Sequence, residues 1–337
     1  MLARVVENVY WFARYLERAE NTARLISVNT NLLLDLPRGF ALGWLPLIDI
    51  TGSRALFDAR NKRAEERDVV QFLLADLDNP GSVVSSLRAA RENARTMRDI
   101  LPTDAWEVLN QSCLEITEEL PAGLNRRTRF NFLKRIVLTS QTLAGVLDGT
   151  MSRNDAHTFM ILGRNVERAD MTSRIVDVRS AQLLPEDAPE LVPFDTIQWV
   201  SVLRSLSGYE MYRLSRRARV SRAAAMEFVL RDEQFPRACL PCLKQIELCL
   251  RSLPRSASVL DALAGACRFL QEAELAALDQ RGLHQLIDNL QLYIIGVHDS
   301  LAQTYFPQPS GAAAQVQRQL ERSYDGARSL PLFSDAR

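Results

Sequence analysis

Trp11, Phe12, Tyr15, Leu16, Ala19, Ala23 and Ile26 recur at three- and four-residue steps. On a helix of about 3.6 residues per turn they line one side. This spacing predicts a helix over 2–34. Pro37, Gly39, Gly43 and Pro46 then punctuate a loop of apolar character with room for a short helix. Further helices are expected over 65–77 and, after the Asn79-Pro80-Gly81 break, from an N-cap at Ser82 to 100. The pattern continues with helices over 104–120 and 127–149, and a long one over 155–184 with Ser152 as a candidate cap. Pro185, Pro189 and Pro193 make the clearest internal break, a candidate subdomain boundary over 185–193. Beyond it helices are expected over 195–206, 209–217, 221–231, 236–253, 258–280 and 283–305. The segment 307–337, with Pro307, Pro309, Gly311, Gly326 and Pro331, reads as a poorly ordered tail. No run alternates with period two. The expected fold class is therefore all-α: a multi-helix bundle in a single domain over 1–306.

One segment returns. Arg14-Tyr15-Leu16-Glu17-Arg18-Ala19-Glu20-Asn21-Thr22-Ala23-Arg24 is echoed, 150 residues later, by Arg164-Asn165-Val166-Glu167-Arg168-Ala169-Asp170-Met171-Thr172-Ser173-Arg174. The motif helices, near 2–34 and 155–184, thus form an internal pseudo-repeat. At about 100° per residue, Arg14, Glu17, Arg18 and Arg24 share roughly a third of the helix surface, with Glu20 beside them. Glu17 would lie between Arg14 and Arg24 on its own helix. Arg164, Glu167, Arg168, Asp170 and Arg174 repeat the arrangement. Exposed ion pairs within one helix contribute only about 0.3–0.5 kcal/mol each. They have little need for the same residue types at matched sites, and arginine's planar fork suits buried carboxylates or phosphates. A half-buried polar seam, with the two helices meeting about a pseudo-twofold axis, is the expectation. Such a seam serves architecture or a ligand equally well.

Composition adds exclusions. Lys and Arg total 41, and so do Asp and Glu, giving zero formal charge and no long-range pull on nucleic acid or an anionic membrane. No stretch approaches the roughly 18 consecutive apolar residues of a membrane span. Arg4, Glu7, Arg14 and Glu17 interrupt the apolar run that a signal peptide needs. Five cysteines are an odd count and not a disulfide framework. A soluble chain in a reducing cytoplasm is the expectation.

The stretch from Met1 to Leu25 containing the first motif resembles the opening of the alpha-E family, helical bacterial proteins with a Glu-Arg motif. Segments 86–110, 162–175 and 207–238 resemble further family stretches, so the likeness runs along almost the whole chain up to the tail. The residues that match its motifs are Glu17, Arg18, Glu20 and Arg24; Arg91, Glu92, Asn93 and Arg95; Glu167, Arg168, Asp170 and Arg174; and Phe235-Pro236-Arg237. The resemblance implies genetic association or fusion with circularly permuted ATP-grasp proteins and transglutaminase-like peptidases. It therefore implies a part in making, modifying or cleaving peptide or amide bonds.

The remaining candidates are weighed against simpler roles. Arg88, Arg91, Arg95 and Arg98 form a ridge with Glu92 beside it, fit for a phosphate, a peptide carboxylate or an acidic partner, or else for plain solvent exposure. Paired Glu17 and Glu167 could do acid–base work, but flanking arginines would hold them ionised. The same arginines would repel a metal ion, and no metal or cofactor is expected. Cys239 and Cys242 have redox or zinc spacing, yet read better as small buried apolar residues. His157, His284 and His298 are isolated in the sequence, and neither a Walker A nor a Rossmann glycine pattern occurs. The leading expectation is a non-catalytic helical partner of an ATP-grasp ligase, holding a peptide or carboxylate substrate through an Arg/Glu seam. A stand-alone enzyme acting on peptide or amide bonds and a purely structural scaffold stay open.

Overall fold

The computed structural model describes residues 1–35, 43–60, 63–181 and 192–307. Among them there are fifteen α-helices and no strand. The first half comprises α1 (Ala3–Asp35), α2 (Leu45–Ile50), α3 (Arg54–Asp58), α4 (Glu66–Leu74), α5 (Val83–Thr96), α6 (Thr103–Glu118), α7 (Leu120–Leu124) and α8 (Arg129–Thr150). The second comprises α9 (Asp155–Ala181), α10 (Val192–Ser205), α11 (Tyr209–Arg216), α12 (Arg222–Arg231), α13 (Cys239–Arg251), α14 (Ala257–Glu272) and α15 (Gln280–Tyr305). The expected tail, and Pro185 and Pro189 of the expected boundary, lie outside the described residues; Pro193 falls within the span of α10.

Element ends follow local chemistry. Ser82 caps α5, its hydroxyl accepting from the Ser85 N–H. Asn154, rather than the expected Ser152, caps α9, its side-chain oxygen accepting from the His157 N–H at 3.2 Å. Four expected helices are shorter than their apolar periodicity. α4 stops at Leu74 rather than 77, where Ala75 leaves helical geometry. α5 stops at Thr96, where Met97 turns out of helical geometry. α13 begins only at Cys239, because Ala238 is extended and residues 235–238 form a turn. α14 ends at Glu272 before extended Ala273. α3 and α7, each a single turn, carry too little periodicity to read from sequence.

Packing repeats the echo on a larger scale. α1 packs on α5 and α8, while α9 packs on α13 and α15. α5 meets α6 as α13 meets α14, and α6 meets α8 as α14 meets α15. α2 lies on α9, and α10 lies on α1. Each half thus builds a similar helical unit around its own motif helix, and the two units share one buried core. Tyr10, Phe12, Leu25, Ile26, Leu162 and Trp199 are all essentially inaccessible within it. Full burial of such a side chain stabilises by about 1.5–3 kcal/mol.

The motif helices cross in direct contact. A Cβ on Gly163 would lie 2.2 Å from the Tyr10 carbonyl oxygen, so only glycine allows this backbone approach. That closeness brings the charged faces of α1 and α9 within reach of each other.

Candidate functional site

At the crossing the carboxylates are exchanged between the helices. Glu167 on α9 accepts from α1: Arg14 Nε at 2.7 Å, Arg18 Nε at 2.6 Å and Arg18 Nη2 at 2.9 Å. Glu17 on α1 accepts from Arg168 Nε on α9 at 2.9 Å. The expected placing of Glu17 between Arg14 and Arg24 does not occur. Arg14 crosses to Glu167, and Arg24 bonds Glu20 at 2.6 Å, the i,i+4 neighbour its length suits. Arg174 bonds Asp170 in the same relation at 3.0 Å. Glu17, Glu20, Glu167 and Asp170 are all buried.

Burial alone would raise the two central carboxyls. Arg168 and Arg237 outweigh it at Glu17, and Arg18 and Arg14 at Glu167, so both are held below the ordinary glutamate range. Such groups are fixed anions, suited to holding cations and poorly suited to shuttling protons.

Arg237 completes one side. From the turn before α13 it sends Nη1 to Glu17 Oε1 at 2.7 Å and to Asn21 Oδ1 at 2.9 Å, and Nη2 to Glu20 Oε1 at 2.7 Å. Its carbonyl accepts from the Thr172 hydroxyl at 2.9 Å. In the sequence Arg237 stands within a family-like stretch, with nothing to place it at the seam. A lone arginine 220 residues from Glu17 carries no spacing signal.

The other side opens to a cleft of about 660 Å³ walled by Arg14, Arg18, Glu167, Asp170 and Arg174. Trp11 and Tyr15 stack at 5.5 Å along it, and the Arg14 guanidinium lies 4.8 Å over the Trp11 ring. Gly52, with φ +66°, covers Arg174; a Cβ there would lie 2.7 Å from a guanidinium nitrogen.

The α5 ridge stands largely apart. Of its candidates only Asn93 lines the cleft. Arg88, Glu92 and Arg95 are exposed, Arg95 bonds Glu92 at 2.9 Å, and half-buried Arg91 bonds Asn110 on α6 at 2.8 Å.

The histidines, isolated in sequence, are partnered in space. His298 Nδ1 meets the Tyr10 hydroxyl at 2.9 Å, and His157 lies against Arg153. His284 Nδ1 is 2.6 Å from Asp177, and its Nε2 is 3.5 Å from Asp288. Burial would lower the His284 pKa, but the Asp177 bond and charge raise it above the ordinary value. The carboxylates face opposite ring nitrogens, which suits an imidazolium held between anions better than ligands converging on one cation. Cys239 and Cys242 are buried and reduced, their thiols donating to the carbonyls of Ala169 and Pro236. Burial pushes the Cys242 thiol up to about 12 and Cys239 well above its usual value, so neither is a ready nucleophile.

Two Glu-Arg pairs, Glu17-Arg18 and Glu167-Arg168, therefore build the crossing. The Alpha-E family, described as a predicted alpha-helical domain with a conserved ER motif, matches residues 1–306. The chain belongs to the Alpha-E family. Uncharacterised proteins of Mycobacterium bovis and of two Mycobacterium tuberculosis strains are similar to it, each 26% identical over 322 residues. The match covers 88% of this Alpha-E chain but 35% of each relative, so the chain spans about a third of their length. No solved structure matches. No described helix is long and apolar enough to cross a membrane.

Proposed function

We propose that this Alpha-E chain is a non-catalytic helical partner of a cytoplasmic ATP-grasp ligase that forms amide or peptide bonds, and that its cleft seats the peptide or carboxylate substrate. The cleft carries the reading: two arginine–carboxylate motifs converge on a recess with an aromatic wall, and charged heads beside apolar surface are what a peptide needs. The electrostatics support binding over turnover, because the central glutamates are held ionised and the nearby thiols are held protonated. The curated relatives extend well beyond the matched region, which agrees with a family that works joined to, or beside, another domain.

The test is copurification of the tagged chain from its native cell, followed by reconstitution. Stoichiometric recovery of an ATP-grasp protein, with ligase activity that falls when Asp170→Asn is introduced into a folded chain, is the expected result. Recovery of the chain alone, with turnover of a peptide or amide substrate by the isolated protein, would transfer the assignment to the stand-alone enzyme.

A further inference from the structure

The halves match beyond their motif helices. Ser82 caps α5 and Ala238 stands before α13, an offset of 156 residues from 82 to 238. At that offset burial agrees position by position: Asn79 with Phe235, Val83 with Cys239, Leu87 with Leu243, and Ala90 with Ile246 are all buried. The same register sets Pro80-Gly81 opposite Pro236-Arg237. Arg237, which bonds Glu17, thus has glycine as its twin in the other half.

That added guanidinium changes what the motif arginines do. Glu167 takes three bonds from α1, through Arg14 Nε, Arg18 Nε and Arg18 Nη2. Glu17 takes one from α9, Arg168 Nε to Oε2 at 2.9 Å, because Arg237 Nη1 holds Oε1 at 2.7 Å. Arg164, the twin of Arg14, has no hydrogen bond among the described residues: its Nε is buried and unbonded, and its outer nitrogens are open to solvent. Nη1 and Nη2 of Arg168, whose side chain is 18% exposed, also have no partner there. Arg24, Arg168 and Arg237 bond Glu17 or Glu20, and Arg164 lies within reach of the Glu17 charge. Four guanidiniums thus meet two carboxylates, and two positive charges are left over. Asp148 also acts on Arg164, but its Oδ1 is taken by Arg153 at 3.0 Å. Burial would lower the pKa of either twin arginine. At Arg14 the Glu167 charge reverses this, whereas at Arg164 the like charge of Arg168 adds to it. A partly desolvated cation without a counter-ion is unfavourable, and an anion at its outer nitrogens would offset that cost.

We infer that Arg164 and Arg168, one turn apart on α9, form a binding site for a phosphoryl dianion. Each guanidinium offers its outer amino groups as a planar fork, a donor geometry that phosphate oxygens accept in pairs. A dianion answers both surplus charges, where a single carboxylate would answer one. Neither arginine lines the cleft, so the site is separate from the peptide reading and does not rest on it.

The test is calorimetric titration of the full chain at about pH 8, where phosphate is dianionic, with inorganic phosphate, phenyl phosphate and acetate in turn. Saturable binding of phosphate, with a dissociation constant on the order of 1 mM, is the expected result. Arg164→Gln should weaken it by about tenfold or more, and Arg95→Gln, on an exposed pair, should leave it unchanged. Because Arg164 bonds nothing among the described residues, Arg164→Gln should melt in phosphate-free buffer no lower than wild type. Tighter binding of phenyl phosphate than of phosphate would assign the phosphoryl group to an organic ligand, and equal or weaker binding would assign the free ion; both support the site. Equal binding of phosphate by wild type and Arg164→Gln would overturn it, as would acetate binding as tightly as phosphate, or no saturation by any of the three. A marked loss of stability in Arg164→Gln would also overturn it, by showing that the guanidinium already serves the fold.

Discussion

The Glu17 and Glu167 sides of the crossing contain nearly the same residues and end differently. At Glu17 the guanidinium of Arg237 bonds two carboxylates and an amide, and a twin threonine holds its carbonyl. At Glu167 the arginines of α1 take up the carboxylate, the corresponding threonine hydroxyl has no partner among the described residues, and a cleft opens beside it. Duplication yields a scaffold that holds a carboxylate between paired arginines in either half. In the matching connecting turns Arg237 stands on the closed side and Gly81 on the open one. The difference teaches that the seam is both: architecture on the side that Arg237 closes, and a candidate binding site on the side that opens to the cleft.

The broadest way to break the comparison is acid, which strikes both sides at once. Glu17 and Glu167 have folded pKa values below the ordinary value of about 4.5. Each therefore contributes stability that is fully present above the unfolded pKa and is lost as pH falls through the folded one. The melting temperature should owe no change to this pair between pH 7 and pH 5, then drop steeply below about pH 4.5. A steady decline across neutral pH would show that other groups govern stability.

Arg237→Ala breaks one side only. Removing the cation leaves Glu17 and Glu20 buried with fewer partners, and loss of one member of a buried pair costs about 3–5 kcal/mol. Urea unfolding should show that loss, and Arg95→Ala, on an exposed pair, should cost less than about 1 kcal/mol. Equal effects would mean that Arg237 contributes as little as a surface charge.

Gly163→Ala acts on both sides through the crossing itself. Its Cβ meets a backbone oxygen that no rotamer change can clear, so the helices must separate. Overpacking of this kind costs about 1–3 kcal/mol. Ala13, the twin position 150 residues earlier, already tolerates a methyl group, so Ala13→Gly should not widen the crossing. A neutral Gly163→Ala would show that the approach of α1 and α9 is looser than the structure has it.

How much of this was legible in the sequence follows from what kind of signal each feature leaves. The eleven-residue motif repeats its charged residue types at a fixed offset, which made a meeting of α1 and α9 an expectation but left their contact open, while the helical periodicity made the fold class legible. The exchange of carboxylates could not, because spacing along one helix favours intrahelical pairs and says nothing of a second helix in contact. The α5–α13 correspondence escaped because six additional residues shift the offset from 150 to 156 and only proline survives in the turn. Its trace lay in the apolar positions, Val83, Leu87 and Ala90 against Cys239, Leu243 and Ile246, whose identities differ while their burial agrees. Arg237 is a single residue whose importance comes from three partners on another helix, so tertiary contact alone reveals it.

The finest discrimination comes from the twin threonines. Thr172→Val removes a hydroxyl that donates to the Arg237 carbonyl at 2.9 Å and leaves that carbonyl short of a donor, at a cost of about 1 kcal/mol. Thr22→Val removes a buried hydroxyl that has no partner among the described residues. Exchanging it for a methyl group of the same shape relieves an unmet desolvation penalty, so stability should hold or rise slightly. Both side chains are equally inaccessible, which leaves hydrogen bonding as the difference that unfolding free energies would read. Opposite signs for the two substitutions would tie the asymmetry of the halves to Arg237. Equal costs would mean that the Thr22 hydroxyl is already satisfied in the free protein.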